Sequence, residues 1–113
     1  MIFNPCFIVP SYNHSRAARV TLGRLSVHGL PIFLIDDGSV PEEAAILAEL
    51  AGADALVRLI TLPVNSGKGG AVMAGLRAAL AQGFTHGMQV DADGQHDLSV
   101  LEGFLDAGRK APD

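Results

Sequence analysis

The sequence predicts a doubly wound α/β layer in which four mainly parallel strands alternate with four helices. Three observations predict it. Short apolar runs alternate with stretches of helical spacing along the whole chain. The connections between them are short, which implies parallel strands joined by helical crossovers. No linker, repeat or low-complexity stretch divides the 113 residues, so residues 1–113 read as a single domain.

Each element has a local reason. Cys6-Phe7-Ile8-Val9 is an apolar run that ends at Pro10, with Ser11-Tyr12-Asn13 as the turn after it. From about Ser15 to His28 the period becomes helical, with Ala18, Leu22 and Leu25 on one face and Gly29 as the stop. Ile32 to Ile35 is the second strand and ends in Asp36-Asp37-Gly38-Ser39. Ser39-Val40-Pro41-Glu42 reads as a capping box, with the serine as cap and proline early in the first turn. The helix it opens runs to about Leu50 and buries Ile46, Leu47 and Leu50. Val57 to Leu62 is the third strand, followed by Pro63 and a Gly-rich loop. A third helix spans Ala71 to Gln82, with Val72, Leu76, Ala79 and Leu80 inward and Met73 also assigned to the core. Gly87 to Val90 is the fourth strand. Asp97 or Ser99 caps a fourth helix that buries Leu101, Phe104 and Leu105.

Composition excludes several classes. With 49% hydrophobic residues the chain is not disordered. A net charge of −4 argues against holding nucleic acid by its backbone. Cys6 is the single cysteine, so an internal disulfide is impossible, and inside an apolar run it reads as core. No apolar run approaches the roughly 20 residues that span a bilayer, and no secretory signal is expected.

The polar residues are distributed unevenly. Each strand is followed by a segment rich in small and polar side chains: Ser11-Tyr12-Asn13-His14, Asp36-Asp37-Gly38-Ser39, Asn65-Ser66-Gly67-Lys68-Gly69-Gly70, and Asp91-Ala92-Asp93-Gly94-Gln95-His96. With parallel strands all four lie on one edge of the sheet, the carboxyl edge where open α/β sheets bind ligands. Four aspartates, Asp36, Asp37, Asp91 and Asp93, share that edge. Close carboxylates need a cation or hydrogen-bond donors; Lys68, the N–H groups of the Gly-rich loop and a divalent metal are the available compensators. Asp93 and Gln95 offer hard oxygen donors, which suit Mg²⁺ or Mn²⁺ with sites left for water and phosphate. The pattern reads as a metal-assisted diphosphate site, with an aspartate at the end of strand two accepting hydrogen bonds from a base or ribose.

Taken singly, each segment also has a plainer reading. Asp36 to Ser39 suits a turn and a helix cap, Tyr12 and Asn13 a turn and cap, and Asp91-Ala92-Asp93 a solvated acidic loop. The histidines at 14, 28, 86 and 96 have no zinc spacing, and His28 and His86 read as surface or helix-end residues. Other motifs fail. A P-loop would need glycine at Leu62 and a hydroxyl at Gly69, the turn after strand one lacks the glycines of a dinucleotide fingerprint, and no Gly-x-Ser-x-Gly exists.

Together, Val9-Pro10-Ser11-Tyr12-Asn13, Asp36-Asp37-Gly38-Ser39, Asn65-Ser66-Gly67-Lys68-Gly69 with Ala71 and Gly75, and Asp91-Ala92-Asp93-Gly94-Gln95-His96 resemble the N-terminal half of family 2 glycosyltransferases. The resemblance runs from about residue 6 to residue 108. It is closest to the bacterial branch similar to dolichyl-phosphate mannose synthases and polyprenyl-phosphate glycosyltransferases. It implies a Rossmann-like GT-A half. Pro10, Tyr12, Asn13 and Asp36, with Asp37 beside it, would hold the nucleoside. Asn65, Gly67 and Lys68 would border the nucleotide, and Asp91 would lie near the ribose. Asp93 would lie with the metal and diphosphate, and Gln95 would be a second metal ligand.

The implied activity is inverting, metal-assisted transfer of a sugar from a UDP- or GDP-linked donor to a lipid-phosphate or saccharide acceptor. Members of the family continue well beyond this length, so a truncated donor-binding half is expected, with any general base beyond residue 113. The implied setting is cytoplasmic, with the parent protein at the inner face of the cell membrane and a role in the cell envelope. A non-catalytic nucleotide-sugar-binding module is the alternative reading. A sugar nucleotidyltransferase ranks below it, because Ser11-Tyr12-Asn13 stands where that class wants a Gly-rich basic loop. An unpaired edge on strand four would favour a homodimer.

Overall fold

A computed structural model describes residues 3–92. Four strands form one sheet, β1 (Pro5–Ser11), β2 (Ile32–Asp37), β3 (Val57–Leu62) and β4 (His86–Gln89), in the order β3-β2-β1-β4. All three pairings are parallel, with Val9 opposite Leu34 and Ile8 opposite Gln89 in the central registers. Three helices connect them: α1 (Ser15–Ser26), α2 (Pro41–Ala53) and α3 (Gly67–Ala81). The expected α/β layering is present. The fourth helix, expected at Asp97 or Ser99 onward, lies outside the described residues. Among the described residues no helix is long and apolar enough to cross a membrane.

The chain order explains which helix covers which face. From β1 to β2 to β3 the chain steps one way across the sheet, and from β3 to β4 it steps back past β1. Right-handed crossovers in opposite directions must use opposite faces. Accordingly α1 and α2 contribute Ala18, Leu22, Leu25 and Leu47 to a core with Phe7, Val9, Ile32 and Leu34. On the other face α3 contributes Ala71 and Ala79 to a core with Cys6, Ile8, Phe33 and Ile35. Both central strands are buried on both faces, which is why they read as unbroken apolar runs. Helix α3 approaches closely at Gly75, where a Cβ would stand 2.7 Å from Ile35 Cδ1 and 2.8 Å from Ile8 Cγ2.

Several expectations need correction. Strand β1 continues through Pro10 to Ser11, and β2 continues through Asp36 and Asp37, so the first two aspartates are strand residues rather than a turn. Ser39 is not the cap of α2. Val40 occupies that position in an extended conformation, and no side chain on it caps the helix. The Ser39 hydroxyl instead accepts from the Asn13 N–H at 3.0 Å, and Asn13 Oδ1 accepts from the Val40 N–H at 2.9 Å. The turn after β1 thus exchanges bonds with the start of α2. Asn13 does so at φ +53°, a left-handed conformation that asparagine tolerates.

Helix α3 begins at Gly67, four residues earlier than expected, so Gly67 to Gly70 form its first turn instead of a loop. Low glycine propensity hid that turn; bonds from Ser66 to Asp37 fix where it starts. On α3, Leu80 is 68% exposed and Met73 is also exposed, while the small residues Ala71, Gly75 and Ala79 face the sheet. On α2, Leu47 is buried, whereas Ile46 and Leu50 are half-buried. His28 and His86 are half-buried; His28 lies against the Phe7 ring and His86 opens β4.

Candidate functional site

Strand order reverses between β1 and β4, and open α/β sheets form a crevice outside the carboxyl ends of strands at such a point. A cavity of about 320 Å³ lies there. The end of β1 supplies Pro10, Ser11, Tyr12 and then His14; β2 supplies Asp37; Asn65 and the first turn of α3 supply Asn65, Gly67 and Lys68; the segment after β4 supplies Asp91 and Ala92. Four distant stretches of chain therefore meet at one rim.

Strand alternation separates the two adjacent aspartates. Asp36, in register with Ser11, belongs to the same strand face as Ile32 and Leu34, the α1–α2 side. It is 1% exposed, and its Oδ1 accepts from the Ser39 N–H at 2.9 Å. Asp37 belongs to the α3 side and lines the cavity at 3% exposure. Its Oδ1 accepts from the Ser66 N–H and hydroxyl, both at 2.8 Å. Its Oδ2 accepts from Asn65 Nδ2 at 3.2 Å, and that amide also reaches the Asp37 carbonyl at 3.1 Å. Asp37 thus ties the residues before α3 to the end of β2. Gly38 allows the close passage. At φ +74° its backbone runs so near the next loop that a Cβ would stand 2.4 Å from Asn65 N.

Across the cavity, Lys68 Nζ lies 2.9 Å from Asp91 Oδ2, and Gln89 Nε2 donates to Asp91 Oδ1 at 3.1 Å. The lysine stands in the first turn of α3, where the helix dipole and its unpaired N–H groups already favour an anion. Tyr12 is 46% exposed and offers an aromatic face at the end of β1.

Of the residues predicted for the site, Pro10, Tyr12, Asp37, Asn65, Gly67, Lys68 and Asp91 line the cavity. Asn13 and Asp36 do not line it; they fix the turns beside it. Asp93 and Gln95 lie outside the described residues. Among the described residues no group of three or more His, Cys, Asp or Glu gathers as a metal site. Sequence reasoning missed Ser11, His14 and Ala92 as lining residues. Their membership in the polar segments after β1 and β4 was the available signal.

A parallel α/β sheet with a switch-point cavity that joins an aromatic ring, carboxylates and a helix N-terminus with a lysine places the chain in the doubly wound class, with a candidate ligand site at the carboxyl edge. The particular family follows from comparison with known proteins. The chain belongs to glycosyl transferase family 2, whose model matches residues 6–113. It is 35% identical over 107 residues to an undecaprenyl-phosphate mannosyltransferase of Micrococcus luteus, covering 92% of this chain and 44% of that protein. It is 35% identical over 104 residues to a polyprenol monophosphomannose synthase of Mycolicibacterium smegmatis, covering 88% of this chain and 39% of that protein. The chain thus spans less than half the length of these relatives. Among solved structures, the mannosyltransferase PcManGT from Pyrobaculum calidifontis, in complex with GDP-Man and Mn²⁺, shares the fold. Its TM-score is 0.63 at 20% identity, over 80% of this chain and 27% of that one.

Proposed function

We propose that the chain is the donor-binding part of a glycosyltransferase that moves a hexosyl group from a UDP- or GDP-linked sugar to a polyprenyl phosphate, with inversion at the anomeric carbon. The observation that carries this reading is the switch-point cavity that gathers Tyr12, Asp37, Lys68 and Asp91. Tyr12 offers a surface for a base to stack on. Lys68 and the first turn of α3 offer positive charge to a diphosphate.

The named activities of the relatives favour a lipid-phosphate acceptor. Such an acceptor arrives already ionised and attacks without a general base, whereas a hydroxyl acceptor would need one. The same reading has the parent protein work at the inner face of a membrane, where such an acceptor is embedded.

We assign the divalent cation to Asp93 and Gln95, whose carboxylate and amide oxygens are hard donors that suit Mg²⁺ or Mn²⁺. A cation there would stabilise the charge that develops on the departing nucleoside diphosphate.

Calorimetric titration of the folded chain with GDP and UDP, with and without Mn²⁺, tests the reading. Metal-dependent binding of one of the two is expected. Heats at the level of dilution for both, with and without the cation, would overturn it.

A further inference from the structure

All 12 acidic residues of the chain lie at Asp36 or beyond, so residues 1–35 hold no Asp or Glu. Helix α1 concentrates the positive charge of that segment. Its Ala18, Thr21, Leu22 and Leu25 are buried, while Arg16, Arg19, Val20, Gly23, Arg24 and Val27 are exposed. Counted at about 100° per residue, these six positions fall within one arc of about 140°. Val20, Gly23 and Val27 run along its middle, with Val20 47% and Val27 80% exposed. Arg19 and Arg24 flank them on opposite sides, and Arg16 extends the line toward the start of the helix. None of the three arginine side chains makes an ion pair or a hydrogen bond among the described residues. Glu43, which shares a groove with Arg16 and Arg19, accepts from the Ser15 hydroxyl instead.

A helix face that serves only to stay solvated is polar throughout. Here an apolar strip is bordered by arginines, the arrangement of a helix that lies in the interface of a bilayer. Valines enter between the headgroups, while guanidinium groups on apolar stems reach the lipid phosphates. We infer that the exposed face of α1 is the surface by which the protein rests on an anionic lipid bilayer. The charges are complementary, and the shape of the strip favours lipid over other anionic partners. Nucleic-acid phosphates would engage the arginines and leave the valines in water. A strip one helix wide and about 18 Å long falls well short of the roughly 800 Å² per partner of a stable protein interface. The placement also suits the cavity. Helix α1 starts directly after His14, a lining residue, so Arg16 stands at the cavity end of the helix. This rests on the reading that the acceptor is a lipid phosphate held in a membrane, and it adds the face that meets that membrane.

The test is co-sedimentation of the 113-residue chain with vesicles of phosphatidylcholine, pure or with one-third phosphatidylglycerol. Binding to the anionic vesicles is expected, at least tenfold tighter than to the neutral ones, and it should weaken with salt. Replacing Arg16, Arg19 and Arg24 together by glutamine should lower that affinity roughly hundredfold, at about fivefold for each basic residue. A Val20→Ser, Val27→Ser double variant keeps every charge and should still lose at least about threefold. Arg77→Gln, an exposed change on α3, should bind as the parent does. Both α1 variants should melt near the parent and bind GDP or UDP as the parent does, since neither touches the cavity. Equal affinity for neutral and anionic vesicles, or a triple variant within twofold of the parent, would overturn the inference. So would an unchanged affinity of the valine variant, which would mark the arginines as a site for any polyanion, an acidic protein or a nucleic acid included. In each of those cases a chain that still binds nucleotide leaves the donor-binding reading standing. Vesicle binding as expected without any nucleotide binding would overturn the donor-binding reading alone.

Discussion

Replacing Asp37 by alanine removes a carboxylate that holds two elements of the cavity wall together. Three side-chain bonds disappear: Ser66 N–H and Ser66 hydroxyl to Oδ1 at 2.8 Å, and Asn65 Nδ2 to Oδ2 at 3.2 Å. Hydrogen bonds to a charged group are worth roughly 1.5–3 kcal/mol each, but the three share one acceptor group and do not add. Two effects reduce the sum. Ser66 and Asn65 are exposed, so their donors return to water. The variant also no longer buries a carboxylate, which relieves a desolvation cost.

The expected loss is about 2–3 kcal/mol, set against the roughly 5–15 kcal/mol of a whole domain. Asp37→Asn keeps one oxygen for Ser66 but turns an NH₂ toward the Asn65 amide. Its loss should be smaller, about 1–2 kcal/mol. Urea unfolding of the three proteins, compared at constant slope, measures this. The sign is decisive. If Asp37 served only a ligand, removing a buried carboxylate would leave stability unchanged or raise it. An Asp37→Ala variant within about 0.5 kcal/mol of the parent, the scatter of ordinary surface changes, would refute the bracing role.

Other consequences can be measured alongside. Gly38→Ala and Gly29→Ala both place a side chain at positive φ, +74° and +70°, but only at position 38 does the new Cβ meet backbone, at 2.4 Å from Asn65 N. Gly29→Ala should cost about 1–2 kcal/mol, the left-handed penalty alone; Gly38→Ala should cost more and should weaken nucleotide binding, and equal losses in chemical denaturation would contradict the close approach. Lys68→Gln removes an exposed ion pair worth about 0–1 kcal/mol, so melting should barely change while calorimetric nucleotide affinity falls; unchanged affinity would remove Lys68 from the binding role. Burial pushes the Cys6 thiol up from 9.0 to about 11, with Arg58 opposing the shift weakly. The folded state therefore keeps the proton that the unfolded chain gives up, so stability is full below pH 9 and declines as pH rises toward 11. Denaturation midpoints across that window should show the decline, and a Cys6→Ala variant should flatten it.

How far the sequence foretold this molecule depends on what kind of signal each element carried. The apolar runs at residues 6–9 and 32–35 were legible because strands buried on both faces have no polar positions to blur them. Helix α1 was legible because Ala18, Leu22 and Leu25 keep strict helical spacing and Gly29 follows at φ +70°. The start of α3 was not legible. Its first turn contains Gly67, Gly69 and Gly70, residues whose local preference opposes helix. It is helical because Asp37, distant in sequence, holds Ser66 in place, and a tertiary bond of that kind leaves no periodic trace. The same holds for Ser39, which fits a capping box locally but gives its hydroxyl to the turn of a neighbouring strand.

The paired aspartates show where pattern reading stops and strand geometry takes over. As a four-residue motif, Asp36 to Ser39 suggests two carboxylates side by side at a rim. Once β2 is known to run through Asp37, the two-residue repeat of a strand assigns the carboxylates to opposite faces. Asp36 then fixes the turn that leads into α2, and Asp37 fixes the start of α3 and walls the cavity. Each therefore anchors a crossover segment on its own face of the sheet, and together they hold both sides of the switch point to the end of one strand. A ligand entering the cavity meets a rim whose width is set by that strand end. Changes at Asp36 and Asp37 should accordingly reach the cavity by different routes, one through the β1 turn that carries Asn13 and Tyr12, the other through Asn65 and Lys68.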